Sequence, residues 1–309
     1  MVNVAIAGGS GAVGQTILEI MEEQKVHQPF ILSRELNKVE ATNSVLYVDY
    51  RDIPALIRVL EDNDIHTVIS CVGYHGDSLK VAQLNLIQAA TASSVTKCFV
   101  PSTFAIAYPR SFIDELPTLI DYFAAIEELK KSGLQWTVFL NGCFLDYWAQ
   151  PHIKSYLKPA PFAIDIANRQ AALPGNGNSL ITFTYSFDVA RFVVAALDLS
   201  EWPEESRIAG DALTWNEVVR LAEETLDCKF SVVYDDVETL STGRITELPC
   251  QKPCYERFPK LQFQWFMSMF SRWTMDEKIC HIPGELNVQF PKIKCMTVKD
   301  MLDTFWKEK

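Results

Sequence analysis

The chain has 309 residues, of which 48% are hydrophobic and 22% charged, so it has the composition of a folded globular protein with room for two lobes. Its formal net charge of −11 argues against nucleic acid or an anionic membrane as a partner. No apolar run is long enough to span a bilayer and no signal peptide is recognisable, so we expect a cytoplasmic protein.

The eight cysteines are scattered along the chain. Cys250 and Cys254, with Cys280, His281 and Cys295 further on, do not have the spacing of a zinc site. We therefore expect reduced, mostly buried thiols and no metal.

The N-terminal stretch has the order strand, glycine turn, helix. An apolar run from Val2 to Ile6 is followed by Gly8-x-x-Gly11-x-x-Gly14, and a helical pattern begins at Ala12. Glycines allow a tight turn and a close approach of backbone to a pyrophosphate, and the helix N-terminus attracts the phosphates. The motif predicts a dinucleotide site, and the residues expected to contact the cofactor here are Gly8, Ser10, Gly11, Ala12, Val13 and Gly14.

The second apolar run ends in Ser33-Arg34, where an acidic residue would favour NAD. Arg34 can instead pair with a 2′-phosphate, Ser33 can donate to the same group, and Lys38 adds positive charge. The sequence therefore predicts NADP(H) as the cofactor, against the alternative of a solvated surface arginine.

Two further strand ends carry candidate cofactor residues. Asp49 follows the third apolar run, where its carboxylate can accept from the adenine amino group or cap the next helix. Val72-Gly73 follows the fourth run, where we expect the backbone to approach the cofactor's ribose.

Apolar runs and helical patterns alternate over roughly the first 150 residues, which predicts an α/β, doubly wound Rossmann parallel sheet. The helical stretches are 53–61, 79–92 and 116–132, and a sixth strand spans 135–140. A smaller α+β substrate-binding lobe is expected to follow. We assign residues 1–150 and about 181–205 to the NADP(H)-binding domain, and 151–180 and 206–309 to the substrate lobe.

The second lobe has two clear helix signals. Thr214-Trp215-Asn216-Glu217 is a capping box that predicts a helix to about Leu226. The stretch from Leu261 to Trp273 is strongly apolar and aromatic and is predicted to be a helix.

The chain resembles the NmrA-like and isoflavone-reductase-like proteins, which are atypical short-chain dehydrogenases. The resemblance rests on the glycine motif, Ser33-Arg34, Pro101-Ser102-Thr103-Phe104 and Asn141-Gly142-x-Phe144. It implies an NADP(H)-binding lobe, with Arg34 on the 2′-phosphate, Ser102 and Thr103 near the nicotinamide ribose, and Asn141 to Phe144 lining the nicotinamide pocket. Residues 144–147 and 186–190 look most like fungal members.

The chain departs from the reductases in its proton-handling residues. None of its ten tyrosines has a lysine four residues on, which agrees with the family. The family's reductases also carry a lysine in the helix after Pro-Ser-x-Phe, and here that position holds Phe123 or Tyr122. A ketone needs a proton donor as its alkoxide develops, whereas an iminium or an activated alkene needs less help.

Several side chains are candidates for the remaining chemistry. Tyr122 can replace the missing acid or be a core aromatic; Asp146 can stabilise a cationic nitrogen or cap a helix; His152 can be functional or structural. Asp121 and Asp165 are further carboxylates that can serve a cationic substrate. The predicted substrate pocket consists of His75, Phe104, Phe123, Tyr147, Trp148 and Trp265.

The sequence thus predicts an NADPH-dependent oxidoreductase acting on a bulky aromatic or alkaloid-like metabolite, by reduction of an imine or activated alkene or by redox-mediated ring closure such as cycloaddition. The expected partner is a hydrophobic aromatic small molecule; the oligomeric state stays open. The alternative is a non-catalytic NADP(H)-binding redox sensor of the NmrA type, which the missing lysine fits equally well.

Overall fold

A computed structural model describes residues 1–34, 44–74 and 76–307. The chain divides into two compact units. The first comprises Met1–Phe104, Tyr108–Leu140 and Ala190–Ser206, and the second comprises Ala105–Ala107, Asn141–Val189 and Arg207–Lys309. The division thus falls at Leu140 and Ala190, whereas we expected it near residues 150 and 181.

The first unit is built on a six-stranded parallel sheet with the strand order β3-β2-β1-β4-β5-β6. Its strands are β1 (Asn3–Ala7), β2 (Gln28–Ser33), β3 (Ser44–Tyr47), β4 (Ile65–Ser70), β5 (Cys98–Val100) and β6 (Gln135–Trp136). Its helices are α1 (Ala12–Gln24), α2 (Ile53–Asp62), α3 (Leu84–Ala92) and α4 (Leu119–Ser132).

This order confirms the predicted doubly wound Rossmann fold, because the sheet is extended in one direction up to β3 and then in the other from β1. The central strand shows why the apolar runs were readable in the sequence. Val4, Ala5, Ile6 and Ala7 are all 0% exposed, as expected for a parallel strand covered on both faces.

Two elements of the first unit differ from prediction. The helix expected over 79–92 begins as a π-helical turn, Ser78–Gln83, before α3. The strand expected over 135–140 is interrupted at Thr137, whose buried hydroxyl donates to Ser206 Oγ at 2.8 Å, and resumes as β7 (Val138–Leu140). The strand breaks where the chain changes its pairing partner, because β6 pairs with β5 and β7 pairs with a strand at Glu205–Arg207.

The second unit contains two small sheets. One has the order β14-β10-β9 and the other β13-β11-β8. The strands of these sheets are β8 (Cys143–Phe144), β9 (Ile164–Asp165), β10 (Gln170–Pro174), β11 (Leu180–Thr184), β13 (Asp211–Thr214) and β14 (Ser231–Asp235). The strand β12 (Glu205–Arg207) lies at the boundary between the units and pairs with β7. The helix α5 (Ser186–Ala196) crosses from the second unit into the first at Ala190. The helices of the second unit are α6 (Trp215–Leu226), α7 (Val237–Ser241), α8 (Lys260–Trp273), α9 (Glu277–Cys280), α10 (Glu285–Gln289) and α11 (Val298–Phe305).

Both helix signals of this lobe are confirmed. The Thr214 hydroxyl oxygen at the start of α6 accepts from the Glu217 N–H, and the Glu217 carboxylate accepts from the Thr214 N–H. These two bonds form the predicted capping box. The aromatic helix is α8, with Phe263 and Trp273 buried and Leu261 81% exposed. Across the described ranges, no helix combines the length and apolar character needed to cross a membrane.

Candidate functional site

The first unit has a cavity of about 700 Å³ at the carboxyl ends of its central strands. Its walls come from the segments after β1, β2, β3 and β4, together with the π-helical turn. The lining residues are Gly8, Ser10, Gly11, Leu32–Arg34, Asp49–Arg51, Cys71–Gly73, Gly76–Ser78, Val81 and Ala82. Ligands of open α/β sheets bind at this edge, where the strand order reverses.

The glycine turn is packed too tightly to accept side chains. Gly8 has a φ of +79°, and a Cβ built there would lie 2.5 Å from the Cys71 carbonyl oxygen. A Cβ on Gly14 would lie 2.4 Å from the Gly8 carbonyl oxygen. Gly8 is required for the positive φ of the turn, and Gly14 is required so that α1 can lie close to the turn.

The N-terminus of α1 lies directly after this turn. Its N-cap is Gly11, which has no side chain to bond the first-turn N–H groups, and the first turn contains no acidic residue. Ala12, Val13 and Gly14 thus present backbone donors and the positive end of the helix dipole to an anion.

The end of β2 brings the predicted nucleotide-selecting residues to the same cavity. Ser33 and Arg34 both line it, and Arg34 is exposed. The third residue considered there, Lys38, lies outside the described residues. The geometry suits a guanidinium that meets a phosphate at the cavity wall.

Asp49 also lines this cavity, but it does not cap α2. Its Oδ1 accepts from the Arg51 backbone N–H at 2.9 Å, whereas the N-cap of α2 is Asp52, whose Oδ1 accepts from Ala55 N–H at 2.8 Å. The capping alternative for Asp49 is therefore wrong, and one carboxylate oxygen of this exposed residue stays available for a ligand.

Beyond Val72-Gly73, the loop after β5 is held in place by buried hydrogen bonds. Ser102 Oγ donates to the Val72 carbonyl at 2.8 Å, and the Ser102 N–H donates to Gln83 Oε1 at 2.8 Å. Among the described residues, neither Ser70 Oγ nor Gln83 Nε2, both buried in this region, has a hydrogen-bond partner. Buried polar atoms without partners are uncommon, and they fit a polar ligand at this sheet edge.

Sequence reasoning missed several residues of this cavity. Tyr50, Arg51 and Asp77 line it alongside the predicted residues. The Tyr50 hydroxyl donates to the Leu32 carbonyl at 3.2 Å, and burial raises its pKa far above the ordinary value. Their positions directly after β3 and before the π-helical turn are the signal that would have found them.

Asn141 and Phe144 lie in the second unit. Asn141 is fully buried, its Nδ2 donates to the Gly142 carbonyl at 3.3 Å, and its Oδ1 has no hydrogen-bond partner within the part of the chain that the structure describes. Phe144 is 9% exposed and contacts Tyr147 edge-on, with ring centroids 6.3 Å apart. Asn141 thus retains a buried acceptor, as expected of a residue that meets a ligand.

Tyr122 is a buried residue of α4 within the first unit. Its ring packs edge-on against Tyr108 and Phe123, with centroids 5.8 and 5.0 Å away. Burial raises the Tyr122 pKa to about 12, and the neighbouring Thr103 hydroxyl partly offsets this. The hydroxyl therefore stays protonated at neutral pH and can only donate a proton, not remove one.

Asp146 has a structural position rather than the predicted catalytic one. It is 0% exposed; its Oδ1 accepts from the Ser155 and Ser186 hydroxyls at 2.6 Å each, and its Oδ2 accepts from Ser186 N–H at 2.9 Å. It thereby anchors the first residue of α5 to the segment after β8. Both oxygens of the Asp146 carboxylate accept hydrogen bonds from the protein itself, so Asp146 has little capacity left to bind a substrate.

Replacing Asp146 by alanine should destabilise the protein by about 3 kcal/mol, because buried serine donors lose their acceptor. Burial raises the Asp146 pKa above the ordinary 3.8, so the folded state binds more protons, and this contribution to stability falls as pH rises from 3.8 through the folded pKa. Asp146→Asn keeps an acceptor for the serines and should remove that pH dependence. Denaturant unfolding of both variants at several pH values measures this; equal stability of Asp146→Ala and wild type would contradict it.

The other predicted site residues are dispersed. His152 packs edge-on against Trp306, with ring centroids 5.0 Å apart. Phe104 is buried and stacks on Phe139, although its φ of +45° is strained. His75 lies outside the described residues.

Two further predicted pocket residues, Phe123 and Trp265, do not line the second unit's cavity described next. The Arg110 guanidinium lies 4.9 Å from the centre of the Phe123 ring. Trp265 is 45% exposed on α8. The structure thus brings only part of the predicted pocket together.

That cavity measures about 570 Å³ and includes Tyr147 and Trp148 of the predicted pocket. Its wall is mostly apolar and aromatic and includes Tyr147, Trp148, Pro151, Ile153, Pro161, Ile164 and Trp306. The buried carboxylate of Asp165, which accepts from Asn168 and Cys250, also lines it, as does Gln150, whose buried Oε1 has no hydrogen-bond partner among the described residues. A few polar groups in an apolar cavity are typical of a small-molecule site.

Comparisons with known proteins agree with this geometry. A family model described as NAD(P)H-binding matches residues 8–158. The chain is 33% identical to oxidoreductase BOA1 of Botryotinia fuckeliana, over 95% of this chain and 96% of that protein.

Two solved structures share the fold. Leucoanthocyanidin reductase from Vitis vinifera, in its complex with NADPH, has a TM-score of 0.72 at 18% identity over 98% of this chain and 99% of that one. AtPrR2 with NADP⁺ and (+)pinoresinol has a TM-score of 0.72 at 17% identity over 98% of both chains. The chain belongs to the NmrA-like, isoflavone-reductase-like family of NAD(P)H-binding oxidoreductases.

Proposed function

We propose that this protein is an NADPH-dependent reductase of a bulky aromatic or alkaloid-like metabolite. Its substrate carries an imine, an iminium or an activated alkene, and redox-mediated ring closure is the second outcome open to the same substrate. The observation that carries the proposal is an α4 with Phe123 and a buried Tyr122, and no lysine, where the family's reductases carry one, in a chain that also has an aromatic-walled cavity.

The first unit's cavity suits NADP(H). The glycine turn and the α1 N-terminus suit the pyrophosphate, Arg34 suits the 2′-phosphate, and the buried Thr103 hydroxyl suits the nicotinamide ribose. When bound, the nicotinamide supplies a hydride to an electrophilic carbon. The NADPH complex of the similar reductase from Vitis vinifera supports the same nucleotide here.

The second unit's cavity supports an aromatic substrate. Tyr147, Trp148 and Trp306 provide flat apolar surface, and the buried Asp165 carboxylate, which accepts from Asn168 and Cys250, lies beside it. Aromatic faces and a carboxylate are together the groups that attract a cationic nitrogen. The (+)pinoresinol held by the similar AtPrR2 structure supports a large ligand of this kind.

Ketone and iminium substrates differ in whether their reduction needs a proton donor. Reduction of a ketone generates an alkoxide that must be protonated, whereas an iminium becomes a neutral amine without a proton donor. The Tyr122 hydroxyl, with its pKa near 12 and its site buried, is the candidate donor of α4. This arrangement suits electrophiles that need little acid assistance.

Turnover of matched substrates tests the proposal. We expect NADPH oxidation with a bicyclic aromatic iminium, such as a dihydroisoquinolinium, and much slower oxidation with a bicyclic ketone of the same size, such as tetralone. The rate of NADPH oxidation should be roughly 100-fold or more higher with a hydride acceptor that needs no acid than with one that does. Faster reduction of the ketone would contradict the proposal.

Replacing Tyr122 by phenylalanine sharpens this expectation. For an iminium, kcat should change less than about threefold, since no proton is transferred, whereas loss of a true general acid lowers rates by roughly 10²–10⁴. The pH profile of kcat for both proteins is the measurement. A large fall in kcat with loss of a pH-dependent limb would instead make Tyr122 the proton donor.

The second candidate function is a non-catalytic NADP(H)-binding redox sensor. It is favoured by the packing of Tyr122 and Phe123 against aromatic or cationic neighbours, which leaves α4 without an exposed acid at the family position. A sensor should bind NADP⁺ and NADPH with clearly different dissociation constants and turn over none of a broad substrate panel. Similar affinities with substrate-dependent NADPH oxidation would exclude it.

A further inference from the structure

A second arginine lies at the first unit's cavity, besides the one at the end of β2. Arg34 follows β2 and Arg51 follows β3, and both line the same cavity. The strand ends of a doubly wound sheet meet at one edge, so both guanidinium groups are offered to the part of the cavity that receives the adenosine half of a dinucleotide.

The position of Arg51 is defined by two carboxylates. Its backbone N–H donates to Asp49 Oδ1 at 2.9 Å, and its Nη2 donates to Asp77 Oδ2 at 2.8 Å. Asp77 is the residue directly before the π-helical turn Ser78–Gln83 and also lines the cavity. The ion pair thus joins the segment after β3 to the segment after β4 beside the proposed nucleotide.

Asp77 is a weak partner for Arg51 and can be replaced by a more highly charged anion. The Arg51 and Asp77 side chains are 73% and 61% exposed, and exposed pairs contribute only about 0–1 kcal/mol. A phosphate monoester carries nearly two negative charges near neutral pH and can accept two parallel bonds from one guanidinium. A 2′-phosphate entering the cavity can therefore displace Asp77 from Arg51.

We propose that Arg51 is a second selectivity residue for the adenosine 2′-phosphate, and that Asp77 competes with this phosphate for it. The inference rests on the proposed NADP(H) preference and adds a residue pair to it. In the free protein Asp77 pairs with Arg51, and the phosphate of NADPH must displace Asp77 before it can bind Arg51. The affinity for NADPH is therefore lower than it would be if both arginines were unpaired. NADH, which lacks the phosphate, gains nothing from Arg51.

Binding titrations with NADPH and NADH, read by quenching of protein fluorescence, test the arginine. Arg51→Gln should weaken NADPH binding roughly tenfold and leave NADH binding within about twofold, because only charge-assisted bonds to the phosphate are lost. Arg58→Gln is the matched control, since Arg58 is an exposed arginine of α2 outside the cavity wall. Equal losses for both nucleotides would overturn the proposal.

Asp77→Asn tests the competition. It should tighten NADPH binding about threefold in the wild-type background and have no effect in the Arg51→Gln background, since coupled residues are non-additive. Weaker NADPH binding in Asp77→Asn, or the same gain in both backgrounds, would overturn the proposal. If the wild-type protein binds NADH as tightly as NADPH, the NADP(H) preference itself fails. If it prefers NADPH and Arg51→Gln keeps that preference, only the role of Arg51 fails.

Discussion

Replacing Gly14 by alanine should abolish dinucleotide binding, with a loss of affinity of at least roughly 100-fold. The added Cβ would lie 2.4 Å from the Gly8 carbonyl oxygen and 2.8 Å from Gly9 Cα, and neither backbone atom can rotate away as a side chain can. The glycine turn must therefore shift, and with it the surface that receives the pyrophosphate. Nucleotide titration and thermal unfolding together measure the change.

The matched control is Gly133→Ala at the C-cap of α4. Gly133 has a φ of +73° but nothing within 4 Å of a built Cβ, so alanine there is strained without a clash. It should cost about 1–2 kcal/mol of stability and leave nucleotide affinity unchanged. Wild-type affinity in Gly14→Ala would show that the turn is not the phosphate site.

Replacing Arg34 by aspartate should weaken NADPH binding by roughly 100-fold, because a bidentate cationic contact is replaced by repulsion of the 2′-phosphate. NADH affinity should stay the same or rise, since a carboxylate at this strand end can accept from both ribose hydroxyls. Dissociation constants for the two nucleotides, measured at one ionic strength, give the selectivity ratio.

The same charge change at Arg58, outside the cavity wall, should leave that ratio unaltered and so controls for the protein's overall charge. Parallel losses of NADPH and NADH affinity in Arg34→Asp would mean that Arg34 supports the cavity without recognising the phosphate. They would leave the dinucleotide site intact and remove only its assignment to NADP(H).

The features that were readable from the sequence are local ones. The strand–glycine–helix order at Gly8 to Gly14 required only neighbouring residues, and the capping box at Thr214 involves groups three residues apart. Buried parallel strands such as β1 read as continuous apolar runs, so the order of the first unit's elements followed from the pattern.

Contacts between distant residues were not readable in this way. Asp146 has the local pattern of a strand-end acid, yet its partners Ser155 and Ser186 lie 9 and 40 residues away and make it structural. The Arg51–Asp77 pair joins residues 26 apart, and they meet at one cavity only because β3 and β4 end at the same edge of the sheet.

The sequence alone therefore determined that this chain has a doubly wound dinucleotide-binding unit, and that α4 has no lysine before Lys130. The identity of a residue and the lack of a side chain at a glycine do not depend on contacts with distant parts of the chain. Only the tertiary structure decided which carboxylates are consumed by buried hydrogen bonds, as Asp146 is, and which remain at a cavity, as Asp49 and Asp77 do. Burial and partners set the charge and availability of a carboxylate, and both depend on residues far away in the chain.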